Sequence, residues 1–218
     1  MEKQFKISSA LKNIIGKDLI VDDFVAIFEL VKNSFDANSK HVEVSFKNII
    51  DGESKLVIQD DGKGMDLDDI DNKWLFVAYS AKKEGTEDYR DEIKSKRIHA
   101  GAKGIGRFSC DRLGEKLSIY SRRNENSKFS KLTIDWADFE DNMQTNFDSI
   151  NVNYQLVDSC PYGLSVGTIL EISHLRSKWG GDKLISLRQS LEKLINPSQN
   201  NQGDSFSITL NACEFFRA

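Results

Sequence analysis

Residues 101–108 read Gly-Ala-Lys-Gly-Ile-Gly-Arg-Phe and run straight into Ser109–Leu113, a short helical pattern. A glycine loop that opens on a helix N-terminus suits an anion, because free N–H groups and the helix dipole both favour negative charge. Lys103 and Arg107 put positive charge among Gly101, Gly104, Ile105, Gly106 and Phe108, so the chemistry expected there is phosphate binding. A second glycine pair lies in Asp60-Asp61-Gly62-Lys63-Gly64-Met65, directly after a strand pattern. Glycines one residue apart let a backbone approach a ligand, and a tight turn explains such a pair equally well on its own. The third group is Glu29, Asn33 and Asp36, at i, i+4 and i+7. On a helix at about 100° per residue they share one stripe: a carboxylate, an amide and a second carboxylate. Most such faces are simply solvated, so the triplet gains meaning only from its company.

Competing motifs fail on spacing. A calcium loop with Gly62 as its glycine would begin at Val57, and with Gly64 at Gln59, neither of them acidic. A dinucleotide fingerprint would need a glycine at 67, which is Leu67. No Gly-x-x-x-x-Gly-Lys-Ser/Thr occurs, which excludes a P-loop.

The elements that must hold these groups can be read from periodicity. Phe24, Ile27, Phe28, Val31 and Phe35 form an apolar stripe roughly opposite the polar one, with Asp22 or Asp23 placed to cap the helix and Asn38-Ser39 to end it. His41–Phe46 and Lys55–Gln59 alternate as strands about the Asp51-Gly52 turn. Asp68–Val77 is expected to be a short helix. Residues 81–96 are dense in charge of both signs and are expected to be mobile. Strands are expected at 116–122, 131–136, 152–157, 168–172 and 205–210, with a short strand at 4–8, a helical turn or two at 9–15 and a helix at 182–195. Mixed order of this kind predicts one α+β domain, a sheet with helices on a single face.

The 218 residues suffice for a substantial core, and 39% hydrophobic with 29% charged residues is an ordinary globular composition. A net charge of −4 supplies no global attraction for nucleic acid. Three scattered cysteines fit neither a disulfide framework nor a zinc site, and point to a reducing, cytoplasmic setting. No apolar run approaches the roughly 20 residues of a membrane span, and the N-terminus lacks a secretory core.

Four features stand in order: Glu29-x-x-x-Asn33-x-x-Asp36-Ala37, Asp60-x-Gly62-x-Gly64-Met65, Gly101-x-x-Gly104-x-Gly106-x-Phe108, and Gly167-Thr168. Together they resemble the GHKL superfamily of gyrase B, the chaperone with the same ATP site, histidine kinases and MutL, over roughly residues 20–175. Lys-Gly-Ile-Gly-Arg-Phe and Trp74…Ser80-x-Lys82 are more similar to MORC-type and prokaryotic chaperone-like ATPases than to kinases. The resemblance implies a two-layer α/β sandwich of the Bergerat type, with a mobile ATP lid at about 66–106, in a single domain that forms the N-terminal part of a longer protein. It implies ATP as substrate and Mg²⁺ held by Asn33, an amide oxygen suiting a hard cation. Glu29 would then accept the proton of the attacking water. Asp60, supported by Thr168, would take the adenine amine; Gly62, Gly64 and Met65 would close over the base. Gly104 and Gly106 would wrap the phosphates, and Asp36 would tie the helix end to the site.

In gyrase-like and MutL-like proteins a lysine of a following domain reaches the γ-phosphate. The chain ends at Ala218, so the expectation is either that this lysine lies in a following domain or that the protein works without it, with Lys82 as a candidate substitute. The expected activity is therefore an ATPase whose lid closure drives homodimerisation, weak in the isolated domain, with no membrane partner and nucleic acid undecided. Two alternatives are a histidine-kinase-type catalytic domain and an ATP-sensing module without useful turnover. Against the kinase stand Glu29 as a water-activating base and the short stretch before the helix, which leaves no room for a dimerisation helix pair.

Overall fold

The computed structural model describes residues 3, 6–16, 18–20, 22–50, 52–77, 106–140, 144–194 and 206–215. The elements are α1 (Leu11–Ile15), α2 (Asp23–Asp36), β1 (His41–Lys47), β2 (Lys55–Asp60), α3 (Leu67–Asp69), α4 (Ser109–Leu113), β3 (Gly114–Arg122), β4 (Phe129–Asp135), β5 (Asn153–Val157), β6 (Gly167–Leu175), α5 (Gly181–Glu192) and β7 (Ser207–Asn211). The seven strands form one mixed sheet in the order β5-β4-β3-β6-β2-β1-β7. Every neighbouring pair is antiparallel except β1 with β7.

Strand alternation decides the layers. Val42, Val44 and Phe46 of β1, Leu56 and Ile58 of β2, and Leu117 and Ile119 of β3 turn to the face that α2, α4 and α5 cover, and they form the main core. Val57, Phe129, Leu164 and Ile169 make a smaller cluster elsewhere, joined by Tyr120, Val157, Cys160 and Tyr162 and by no helical residue. The fold is thus the α+β sandwich with helices on one face.

Helix α2 starts where Asp22 accepts hydrogen bonds from the Phe24 and Val25 N–H groups, at 2.6 and 3.3 Å. It ends before Asn38, whose φ of 61° breaks the helix. Its buried face centres on Ala26, Ile27, Leu30, Val31 and Ser34. Phe24 and Phe35 flank that face, one stacked on Trp179 and the other edge-on to Phe206. The polar stripe is not uniformly solvated: Asn33 is exposed and Glu29 half-buried, while Asp36 is buried, because the end of α2 runs in against the sheet.

Two elements differ from expectation. In place of a helix over 68–77 stands one turn, α3, with an Asp66–Asp69 capping box, continued by a wide turn at Ile70–Trp74 in which Leu75 N–H reaches Ile70 O at 2.8 Å. Arg107 donates to the carbonyls of Lys73 (2.7 Å), Trp74 and Phe76 (3.2 Å), which caps the turn and halts the helix. Helix α5 stops at Glu192, which leaves Leu194 partly exposed while Leu184, Leu187 and Leu191 are buried. Near the N-terminus Ser8 forms a single bridge with Asn146, and residues 4 and 5 lie outside the described set.

Candidate functional site

One row of side chains crosses three strands at the end of the sheet nearest α2. Asp60 (β2) is registered opposite Thr168 (β6), and Thr168 opposite Ser121 (β3), so all three point to the helix-covered face. Asp60 is 6% exposed. Its Oδ2 accepts the Ser34 hydroxyl at 2.9 Å and its Oδ1 the Gly62 N–H at 2.9 Å. Burial pushes its carboxyl up to about 6, partly offset by the hydrogen bonds from Gly62 and Ser34. The next residue behaves oppositely. Burial raises Asp61 too, but the His41 N–H, the Ser39 hydroxyl and the Lys40 N–H outweigh it and hold that carboxyl below its usual range. Asp61 latches the α2–β1 turn, while Asp60 faces the row.

Ser121, with no exposed surface, is the hub of this end. Its Oγ accepts the Met65 N–H at 2.8 Å, donates to Gly167 O at 3.0 Å and lies 2.8 Å from Thr168 Oγ1. Met65 itself is half-buried against the core. The glycines bring the chain's own backbones together. A Cβ on Gly64, at φ +67°, would lie 2.0 Å from Arg122 O, and one on Gly167, at φ +124°, 2.0 Å from Asp60 O.

Farther along α2, Gly106 lies over Asn33 and Glu29. A methyl group on it would sit 3.4 Å from Asn33 Nδ2 and 4.0 Å from Glu29 Oε2. Gly106 therefore meets both the acid and the amide. Glu29 Oε1 accepts the Lys32 ammonium at 2.8 Å, a half-exposed pair of small energetic weight.

Gly106 is held there from behind. Phe108 is buried between Trp136 and Phe147, so its ring belongs to the core. In α4, Asp111 accepts from the fully buried Lys12 ammonium at 3.2 Å and from Arg176 at 3.0 Å, and Lys12 also reaches Glu140 at 2.6 Å. Arg112 and Lys183 meet at Asp23 (3.0 and 2.7 Å), which joins α4 and α5 to the start of α2. Arg107 is directed away from Asn33: its guanidinium caps the Ile70–Trp74 turn and lies over the Trp74 ring, and burial lowers it to about 10.

Glu29, Asn33 and Gly106 are thus brought together, as are Asp60, Gly62, Gly64, Met65 and Thr168, with Asp36 buried at the end of α2. Lys82, Gly101, Lys103, Gly104 and Ile105 lie outside the described residues. Sequence reasoning missed Ser34 and Ser121. Ser34 stands one residue beyond Asn33, where helical spacing points it inward; Ser121 could be placed only once the β3–β6 register was known.

The mixed sheet is covered by helices on one face, and an acid–amide helix edge runs beside the buried row of Asp60, Thr168 and Ser121. The chain belongs to the histidine kinase-, DNA gyrase B- and HSP90-like ATPase family, whose model matches residues 22–162. It is also 28% identical over 93 residues to a protein provisionally named type II restriction enzyme HgiDII, from Herpetosiphon aurantiacus. That match covers 43% of this chain and 14% of the relative, so the chain spans only a small part of that protein. Among the described residues no helix is long and apolar enough to cross a membrane.

Proposed function

We propose that this domain binds ATP with Mg²⁺ and hydrolyses it, with the base at the Asp60–Thr168 row and the phosphates between Asn33 and Gly106. One observation carries the reading: a single helix edge links a buried carboxylate acceptor to a half-buried acid and an exposed amide lying directly under a glycine. Asp60 uses one oxygen for Gly62 and one for Ser34, and each retains acceptor capacity for an amine. The exposed Asn33 and half-buried Glu29 offer an amide and a carboxylate oxygen, donors that fit a hard, partly hydrated cation. Bound there, Mg²⁺ would neutralise phosphate charge. Glu29 then takes the proton from water on a helix edge that need not move, while Gly106 leaves room for the phosphates. Lys82 and a lysine of a following domain are the candidates for contact with the γ-phosphate.

Nucleotide-driven closure of the 66–106 segment and homodimerisation form part of the same proposal. Support comes from Arg107, which ties the beginning of that segment to its end through the carbonyls of Lys73 and Phe76. A second reading, ATP sensing without turnover, is favoured by the Lys32 ammonium on Glu29, which competes for the proposed base. The restriction-enzyme name of the 93-residue relative makes DNA the first macromolecule to test with the full-length protein.

The decisive experiment is a thermal-shift titration with ADP, with and without Mg²⁺, followed by phosphate release from ATP. Mg²⁺-dependent stabilisation with phosphate release supports an ATPase. Stabilisation without release, even in the full-length protein, supports the sensor. No stabilisation overturns both.

A further inference from the structure

We propose that Ser121 sets base selectivity by fixing the direction of the Thr168 hydroxyl proton, a proposal that rests on the nucleotide-binding reading above. A serine hydroxyl has one proton to give and two lone pairs to accept with. Met65 N–H can only donate to Ser121 Oγ, at 2.8 Å, and Gly167 O can only accept from it, at 3.0 Å. The Ser121 proton is therefore committed to the Gly167 carbonyl. The 2.8 Å contact with Thr168 Oγ1 must then be made by the Thr168 proton, donated to the second lone pair of Ser121. Reversing that contact would set an oxygen lone pair against the Gly167 carbonyl at 3.0 Å, in a side chain with no exposed surface.

With its proton turned towards Ser121, Thr168 can only accept on the side that faces Asp60, its registered neighbour. Asp60 accepts as well. At neutral pH its carboxyl, pushed up to about 6 by burial, is still mostly ionised. The row thus presents acceptors alone. An amine at position 6 is matched there, whereas a keto oxygen meets acceptor facing acceptor and leaves only the N1–H of the keto form for the row to accept. Selectivity between the two comes from this polarity, and Ser121 imposes it from behind without touching the base.

The test compares ADP with IDP, in which a keto oxygen replaces the 6-amine and N1 carries a proton, by calorimetric titration of the whole chain with Mg²⁺. Wild type is expected to prefer ADP. Ser121→Ala frees the Thr168 hydroxyl to turn and donate to a keto oxygen, so the ADP/IDP preference should fall roughly tenfold. Ser121→Thr, which keeps the hydroxyl, should restore it. In a Thr168→Val background the same Ser121→Ala change should have no further effect on the ratio. If Ser121→Ala melts before it can be titrated, Ser121→Cys takes its place in the same comparison. A folded variant that keeps the wild-type ratio, or one that shifts it equally with and without the Thr168 hydroxyl, overturns the assignment. If wild type binds neither nucleotide, the nucleotide-binding reading itself has failed.

Discussion

The two ends of helix α2's polar edge differ in how much of their chemistry the protein has already used. At the Ser34 end, Asp60, Ser121 and the Met65 and Gly62 N–H groups are all hydrogen-bonded within the chain, Asp60 keeping capacity to accept one more donor, and the chain backbones close to distances that only glycine permits. At the Glu29 end, Asn33 is exposed, Glu29 holds a half-exposed lysine, and Gly106 leaves ordinary van der Waals space above both. Buried and fully assigned hydrogen bonds discriminate between ligands, because a mismatched group loses its partner without gaining water. Exposed oxygen donors suit a hydrated metal and a reacting water, which must come and go. In the proposed function, then, one end selects and the other reacts.

Glu29→Ala gives the sharpest test of that division. Phosphate release should fall roughly 10²- to 10⁴-fold, the usual worth of a positioned base, while ADP affinity measured by titration stays within about threefold. Wild-type turnover in this variant would remove the reactive end. Asp60→Asn should act on the other quantity: an amide brings two donors into a row of acceptors, so ADP affinity should drop roughly a hundredfold.

The glycines separate the two ends by stability. Gly64→Ala, strained at φ +67° and 2.0 Å from Arg122 O, should cost at least about 3 kcal/mol in a denaturant melt. Gly106→Ala meets Asn33 Nδ2 only at 3.4 Å, so it should fold with a loss below about 1 kcal/mol. Equal losses would erase the contrast.

The smallest effect is on pH. Asp60, at about 6 in the ligand-free protein, accepts an amine best when ionised, so ADP affinity should fall about tenfold from pH 7 to pH 5 and stay flat in Asp60→Asn. Its stability linkage has the sign of a raised carboxyl. The contribution is fully present below the ordinary value of 3.8 and is lost as pH rises through about 6. Asp61, held low, works in reverse, adding stability above its ordinary value that disappears as pH falls.

Much of this was legible in the residues. An aspartate cap on α2 at Asp22 or Asp23, α4 at Ser109–Leu113 and the β1–β2 hairpin follow from capping chemistry, periodicity and turn residues, all of them local signals; the structure puts the cap at Asp22. The acid–amide spacing on α2 and the order of the four motifs were likewise enough to expect the family that the comparison shows. What a glycine-rich string could not reveal is which neighbour each residue meets. Arg107, read as a phosphate-side cation, has its guanidinium on the carbonyls of the Ile70–Trp74 turn, and Phe108 lies in the core. Asp60 and Asp61 look alike in sequence, yet burial drives the Asp60 carboxyl up while hydrogen bonds from His41, Ser39 and Lys40 hold Asp61 down. Local pattern sets the elements because backbone geometry repeats over a few residues. The register of β3 on β6 on β2, which alone puts Ser121, Thr168 and Asp60 in one row, joins strands far apart in the chain and was decided only by packing.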